Sequence, residues 1–434
     1  AHREGAFKTL RDTPGLQFYE EREFQDSPYP RGPGYWALTR YEDVWAVSRN
    51  PQLFCSGKGS NIGDLPQDLN EFFGSMINMD DPKHFRLRSI VSKGFTPKEI
   101  ARVNEYVVAK ATRIVDEMIE RYPGRECDFV ETIAAPLPLE IICEMMGIPE
   151  SDFSQILQWT NVILGAGDPE FGGTLEALMT AALGMFAYAQ ELGQSRVTNP
   201  TDDITSVMMN AEVDGERLTA QEFGSFFILL AVAGNETTRN AISHGMRLLT
   251  QHPDQRALWF DDFDANAKTA VEEIVRYATP VIHFRRTATE DTELAGQAIK
   301  AGEKVVMWYN SANRDERTFT DPYRFDVLRP LQPQHVGFGA GGPHFCLGAK
   351  SPRYSTRFAV VCRPWRSPAS RSTCRASSST ASSAFAAPGS SRRVRRRVSG
   401  DHVSSAGRPP GRRWRNGAGT AARSARHRRT GADR

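Results

Sequence analysis

The stretch Phe338-Gly-Ala-Gly-Gly-Pro-His-Phe-Cys346-Leu-Gly348 sets one cysteine in a loop built of glycine, proline and aromatic residues. Glycine reaches backbone angles closed to other residues and lets the main chain lie close to a flat ligand. Such a loop can aim several N–H groups at one sulfur. A thiolate held by N–H donors beside His344 suits a sulfur that must bind a metal and stay bound. The plainer alternative is a Gly-rich surface turn with an incidental cysteine. Phe338, eight residues before the cysteine, and Gly342-Pro343-His344, four to two before it, favour the ligand.

A ligand loop needs an enclosure, and the chain has the material for one: 434 residues, 40% hydrophobic and 10% aromatic. Length alone suggests two or three domains. The net charge of +2 hides a split. Residues 350–434 hold 21 basic and two acidic side chains, leaving 33 basic and 50 acidic in 1–349. The body therefore reads as an acidic soluble protein. Cys55, Cys127 and Cys143 have no C-x-x-C spacing, so neither zinc nor a disulfide framework is indicated, and a reducing cytoplasm is the simplest compartment. The first thirty residues show no apolar signal region. The longest apolar run, Phe226 to Ala233, is far short of the roughly 18–20 residues that a membrane span requires. An opening Ala1 suggests that a few residues precede it.

In chain order, Tyr35-Trp-Ala-Leu-Thr39 predicts a small strand. Pro82 suits a first helical turn, and beyond it His84 and Arg88, four apart, share a helix face. Thr96-Pro-Lys-Glu99 is a capping box, followed by Ile100, Val103, Val107, Ala111, Ile114 and Met118 at helical spacing up to Pro123-Gly124. Helical pattern returns from Ala135 to Met146 and over 153–195, and Asp214-Gly215 predicts a tight turn. Thr219-Ala-Gln-Glu222 caps the longest helix, about thirty residues or roughly 45 Å at 1.5 Å per residue, ending near His252-Pro253. Gly234 is expected to interrupt it, opening room beside Glu236 and Thr237; the alternative is an ordinary helix with threonine bonded back to the preceding turn. Glu273 and Arg276 lie three apart on a further helix. Arg286–Asp291 and Ile299–Val306 predict a strand, a turn and a strand.

The cysteine loop resembles the haem-binding loop of the cytochromes P-450, in a variant one residue longer between Phe338 and Cys346 than the commonest form. Ala-Gly-x-Glu-Thr-Thr at 233–238 resembles the long central helix of that family. The resemblance rests on five ordered motifs and runs from about residue 20 to 349. It implies a mainly α fold with small β-sheets, the cytochrome P-450 fold, as a single large haem domain over 1–349. It implies haem b with Cys346 as thiolate ligand to iron, which pushes electron density toward O–O cleavage. His84, Arg88, Arg286, His344 and Phe338 then become cofactor contacts, with His84, Arg88 and Arg286 on the propionates. Glu236 and Thr237 become the acid–alcohol pair that relays protons over the distal face. Glu273 and Arg276 join a buried network with a third arginine, expected at Arg324.

By the same resemblance the chain is a monooxygenase that uses O2 and takes electrons from a ferredoxin and its NAD(P)H-dependent reductase. Phe73-Gly-Ser-Met-Ile77, Thr160–Gly165, Glu212–Leu218 and Gly234–Asn240 look like bacterial methyl-branched-lipid omega-hydroxylases and sterol side-chain hydroxylases. Terpene-alcohol and alkane hydroxylases share parts of the pattern. Leu229, Val232, Ala233, Val281, Phe73 and Ile77 are the candidate walls of an apolar substrate pocket, against plain core packing. A haem protein that binds a ligand without turnover is the different-class alternative, and the Glu236–Thr237 pair argues against it.

The departure begins after Ala349. In place of a helix backing the haem and a closing sheet comes Arg/Ser/Ala/Pro-rich sequence with no helical or strand period. It has the character of a GC-rich reading frame read out of register. Disorder is its physical expectation, no helix is expected to pack under the haem, and weak haem retention follows. A run such as Ser391-Arg-Arg-Val-Arg-Arg-Arg397 could be a nucleic-acid patch, but the acidic body contradicts a nucleic-acid partner.

Overall fold

The structure is a computed structural model describing residues 2–21, 31–123, 126–165, 173–213 and 215–350, the side chains of 97–105 and 350 excepted. Packing divides the chain into units 1–388 and 389–434; the second lies outside the described residues, and the fold below belongs to the first. The expectations for the basic tail, for Asp214 and for the side chains of Glu99, Ile100 and Val103 also fall outside them.

The N-terminal part runs α1 (His2–Asp12), β1 (Gln17–Tyr19), β2 (Tyr35–Leu38), α2 (Tyr41–Ser48), β3 (Phe54–Cys55), α3 (Gln67–Gly74), a tight turn Ser75–Asn78, and α4 (Lys83–Ser92). Then come α5 (Pro97–Arg121), α6 (Pro136–Met146), α7 (Phe153–Leu164), α8 (Leu175–Thr198), α9 (Ile204–Met209) and α10 (Ala220–Gln251). The chain continues with α11 (Pro253–Asp261), α12 (Phe263–Ala278), β4 (His283–Ala288), β5 (Thr292–Leu294), β6 (Gln297–Ile299), β7 (Lys304–Trp308) and α13 (Tyr309–Ala312). Five strands form one sheet in the order β1-β2-β7-β4-β3, and β5 pairs with β6 in a second.

α10 starts where its capping box predicts. The Glu222 N–H donates to Thr219 Oγ1 at 3.1 Å, and the Thr219 N–H donates to Glu222 Oε2 at 3.0 Å. Phe223, Phe226, Phe227 and Ile228 are buried on several sides, so α10 is the axis of the larger core, with α6, α7, α8 and α12 packed against it and α5 packed on α6. A helix apolar all round must lie inside the protein. The helix is continuous through Gly234 rather than interrupted there. The reason is on α6: a Cβ at Gly234 would come within 2.7 Å of Ile142 Cδ1. The glycine admits a neighbouring helix and does not open its own. The smaller core lies on the sheet, where Leu38, Val305 and Met307 pack with Val336 and Ala340 from the cysteine loop.

Glu273 on α12 is buried and carries two guanidinium groups. Arg276 Nε donates to Oε2 at 2.6 Å and its second terminal nitrogen to Oε1 at 2.9 Å, while Arg329 Nε donates to Oε2 at 3.0 Å. The third arginine is thus Arg329, correcting the expectation for Arg324. A turn closed by the Arg324 N–H on the Asp321 carbonyl leaves the Arg324 side chain exposed. Only the Arg324 carbonyl joins the network, accepting from Arg329 at 2.9 Å.

Glu273 keeps Arg276 when Arg329 is removed, so Arg329→Ala should cost about 1.5–3 kcal/mol, the worth of a hydrogen bond to a charged group. Arg324→Ala, an exposed substitution, should stay within about 0.5 kcal/mol. Denaturant midpoints of the two variants check the assignment, and equal losses would return Arg324 to the network. Gly234→Ala should lose about 1–3 kcal/mol to overpacking, outweighing the gain of about 1 kcal/mol in helix propensity. Combined with Ile142→Val, which removes the opposing Cδ1, the loss should shrink by at least about 0.5 kcal/mol relative to additivity. Strict additivity in that cycle would show that Gly234 has no packing role.

Candidate functional site

The cysteine loop hangs on α2 and α12. Gly339, Gly341 and Gly342 have φ of +88°, +75° and +77°, angles that L side chains avoid. A Cβ at Gly342 would meet the Ser48 carbonyl at 2.1 Å, so α2 also requires a glycine there. At the other flank the Val336 N–H donates to Asn313 Oδ1 at 2.8 Å. His335 accepts at Nδ1 from the Gly337 N–H at 3.0 Å, which leaves its proton on Nε2, 2.8 Å from Glu272 Oε2. The His335 ring lies 5.3 Å from that of Phe338. The Phe338 carbonyl accepts the Cys346 N–H at 3.0 Å, fixing the cysteine across the loop from the phenylalanine.

The Cys346 side chain keeps an exposed surface. Crowding around the sulfur pushes the thiol up, while the N–H groups of Ala349 and Gly348 and the Arg88 charge act the other way. Those donors favour the thiolate, as the loop composition implies.

α4 and β4 bring the remaining expected cofactor contacts to this loop. His84 is buried, with Nδ1 3.1 Å from Asp81 Oδ1; its Nε2 is buried without a partner. Its ring packs on His344 at 4.3 Å between centroids. Arg88 donates to the Phe345 carbonyl. Arg286 is buried, donates to the Arg285 carbonyl at 2.7 Å, and pairs with no carboxylate among the described residues. Burial lowers the pKa of all three, and burial together with Arg286, His84 and Arg88 holds the His344 imidazole well below its ordinary value. Two guanidinium groups, an orphaned imidazole nitrogen and a second neutral imidazole form a buried donor set short of anions. Haem, with its two propionates and a coordination site for one sulfur, fits that set.

On α10, Glu236 is buried. Its Oε1 accepts from Asn240 Nδ2 at 2.9 Å, and its Oε2 pairs with Arg239, which also reaches Asn161 on α7. Thr237 Oγ1 donates to the Ala233 carbonyl at 2.7 Å, the back-bonded arrangement weighed in the sequence. Arg239 and Asn240 escaped the sequence reading, although their spacing of three and four from Glu236 signals contact on a helix.

The expected pocket residues divide. Leu229 is buried in the larger core, and Val232, Ala233 and Ile77 are half-buried against it. Phe73 stacks edge-on against Phe72 at 5.1 Å. α3 and the Ser75–Asn78 turn, which carry Phe73 and Ile77, pack on α10, and Ile77 shares the larger core with Leu229, Val232 and Ala233, whereas Val281 packs with the sheet core instead.

A profile of the Cytochrome P-450 family matches residues 267–351, from α12 through the cysteine loop. A methyl-branched lipid omega-hydroxylase of Mycobacterium tuberculosis (strain ATCC 25618 / H37Rv) is 52% identical over 357 residues, 82% of this chain and 83% of the relative. A steroid C26-monooxygenase of Mycolicibacterium smegmatis is 43% identical over 74% of each chain. Among solved structures, a Mycobacterium marinum cytochrome P-450 in complex with pseudoionone has a TM-score of 0.79 and 42% identity, covering 85% of this chain and 89% of that one. No helix among the described residues is long and apolar enough to cross a membrane. Identity at half the positions, over more than four-fifths of both chains, carries fold and chemistry together: this chain belongs to the cytochrome P-450 family of haem-thiolate monooxygenases.

Proposed function

We propose that this enzyme hydroxylates the terminal carbon of a methyl-branched lipid or a sterol side chain, with electrons from a ferredoxin and its NAD(P)H-dependent reductase. The carrying observation is the course of α10 from 229 to 237. Apolar Leu229, Val232 and Ala233 run directly into Glu236 and Thr237, so an apolar wall ends at a proton-handling pair. A long apolar chain laid along that wall, against Phe73 and Ile77, brings its end to the pair. The substrates named for the relatives, a methyl-branched lipid and a steroid, have that shape. The reading assigns the activity to residues 1–349 and gives 350–434 no part in it.

When bound, the haem supplies dioxygen activation and insertion of one oxygen atom into a C–H bond. Cys346 is its ligand, with the Gly348 and Ala349 N–H groups stabilising the thiolate. His84, Arg88, Arg286 and His344 hold the propionates. Thr237 gives its own proton to the Ala233 carbonyl, which leaves its oxygen lone pairs to accept from a protonated partner. Glu236 is tied to Arg239 and Asn240, so the next turn of α10 orients its carboxylate.

Titration with methyl-branched fatty acids, sterols and terpene alcohols, read as the haem Soret shift, tests the substrate class. A response to terpene alcohols alone would overturn the lipid assignment. Cys346→Ser should abolish the red-shifted thiolate band of the ferrous–CO spectrum, because a serine hydroxyl ligates iron poorly at neutral pH. Retention of that band would remove Cys346 as the ligand. Thr237→Ala should leave lipid binding nearly intact while product falls and peroxide rises. Unchanged coupling of NAD(P)H oxidation to product would take Thr237 out of the relay.

A further inference from the structure

The segment between β3 and α3, Gly57-Lys-Gly-Ser-Asn-Ile-Gly-Asp-Leu65, has three glycines and little apolar surface, so it cannot hold itself by burial. Two cations organise it. Thr287 pairs with Lys304 and Arg285 with Val306 in the β4–β7 register, so Arg285 and Lys304 project from the same face of the sheet. Both are buried, 2% and 3% exposed. The Arg285 guanidinium donates to Asp64 Oδ1 at 2.6 Å, to the Ile62 carbonyl at 3.3 Å and to the Lys58 carbonyl, while its N–H donates to the Ser60 carbonyl at 2.8 Å. Lys304 Nζ donates to Asp64 Oδ2 at 2.6 Å, to the Ile62 carbonyl at 3.0 Å and to Glu21 Oε1 at 2.6 Å. Burial alone would raise the Asp64 carboxyl, yet Lys304 and Arg285 hold it below its ordinary value.

The chain leaves this loop directly into α3 and the Ser75–Asn78 turn, which pack on α10 and carry Phe73 and Ile77. We propose that Arg285 and Lys304 are positioning residues that hold the 58–64 loop, and with it the Phe73–Ile77 wall, closed over α10, with Asp64 as the releasable clasp.

Three of the four charged groups are fixed: Arg285 and Lys304 stand in central strands, and Glu21 is 7% exposed. Asp64, its side chain 47% exposed, is the member that can leave. Without its charge, Lys304 keeps Glu21 while the buried Arg285 guanidinium is left with carbonyls alone, an underpaired state that opening the loop to water relieves. An open loop lowers the fraction of enzyme competent to bind, and apparent affinity falls by that fraction. The substrate consequence rests on the wall assignment above; the clasp itself does not.

The test compares wild type, Asp64→Asn and Asp64→Glu as holoenzyme. Hydrogen exchange is read over 58–74, with α12 as internal control. Soret titrations use phytanic acid and cholesterol. Asp64→Asn should speed exchange over 58–74 by about tenfold and leave α12 unchanged. The Kd for the bound probe should rise about tenfold with an intact ferrous–CO band, and Asp64→Glu should restore most of both. Unchanged exchange over 58–74 in Asp64→Asn, or equal acceleration in α12, overturns the clasp. If wild type binds neither probe, the substrate reading fails while the exchange comparison still decides the clasp.

Discussion

The buried carboxylate of Glu273 is the point on which the proximal half of the molecule hangs. A carboxylate out of water is costly unless its lone pairs are filled. Here they are filled by two Arg276 nitrogens, by Arg329 Nε and by the Asp326 N–H. Arg276 spends its remaining donors on the Asn313 and Pro322 carbonyls. Asn313 then accepts the Val336 N–H, and the neighbouring acid Glu272 receives His335. The loop that carries Cys346 is thus suspended from α12 through polar contacts, and the glycines at its far end let it close on α2. Removing that carboxylate would release the 326–329 segment from α12.

The second constraint is an excess of donors in front of the cysteine. His84, His344, Arg88 and Arg286 converge from α4, the cysteine loop and β4, and burial holds both imidazoles neutral. Protein alone does not satisfy this set, since His84 Nε2 is left with no partner. A cofactor bearing two carboxylates would complete it. On α10 the opposite condition holds: Glu236 and Thr237 are both bonded within their own helix.

How much was legible in the sequence varies with the range of the interaction. The capping box at Thr219, the extent of α10, the strand at Tyr35 and the cysteine loop all came from residues adjacent in the chain. Glu273 and Arg276 were legible for the same reason, being three apart on one helix. Arg324 was misread because the third arginine is chosen by how the 313–329 segment folds back, not by its distance from Glu273 in sequence. Gly234 was misread as a break because Ile142, which explains it, lies on another helix. The Arg285–Asp64 and Lys304–Asp64 pairs span more than two hundred residues, and strand register alone puts both cations on one face.

The chain by itself determined the family and the loop that carries Cys346, because both are read from short motifs that depend on residue type and local spacing. Tertiary structure alone decided which arginine completes the buried network and whether the central helix opens. It alone decided which cations shape the loop before α3. Those outcomes depend on the close approach of segments remote in sequence. Burial makes every unpaired charge there expensive, so the fold, and not the local spacing, selects the partner.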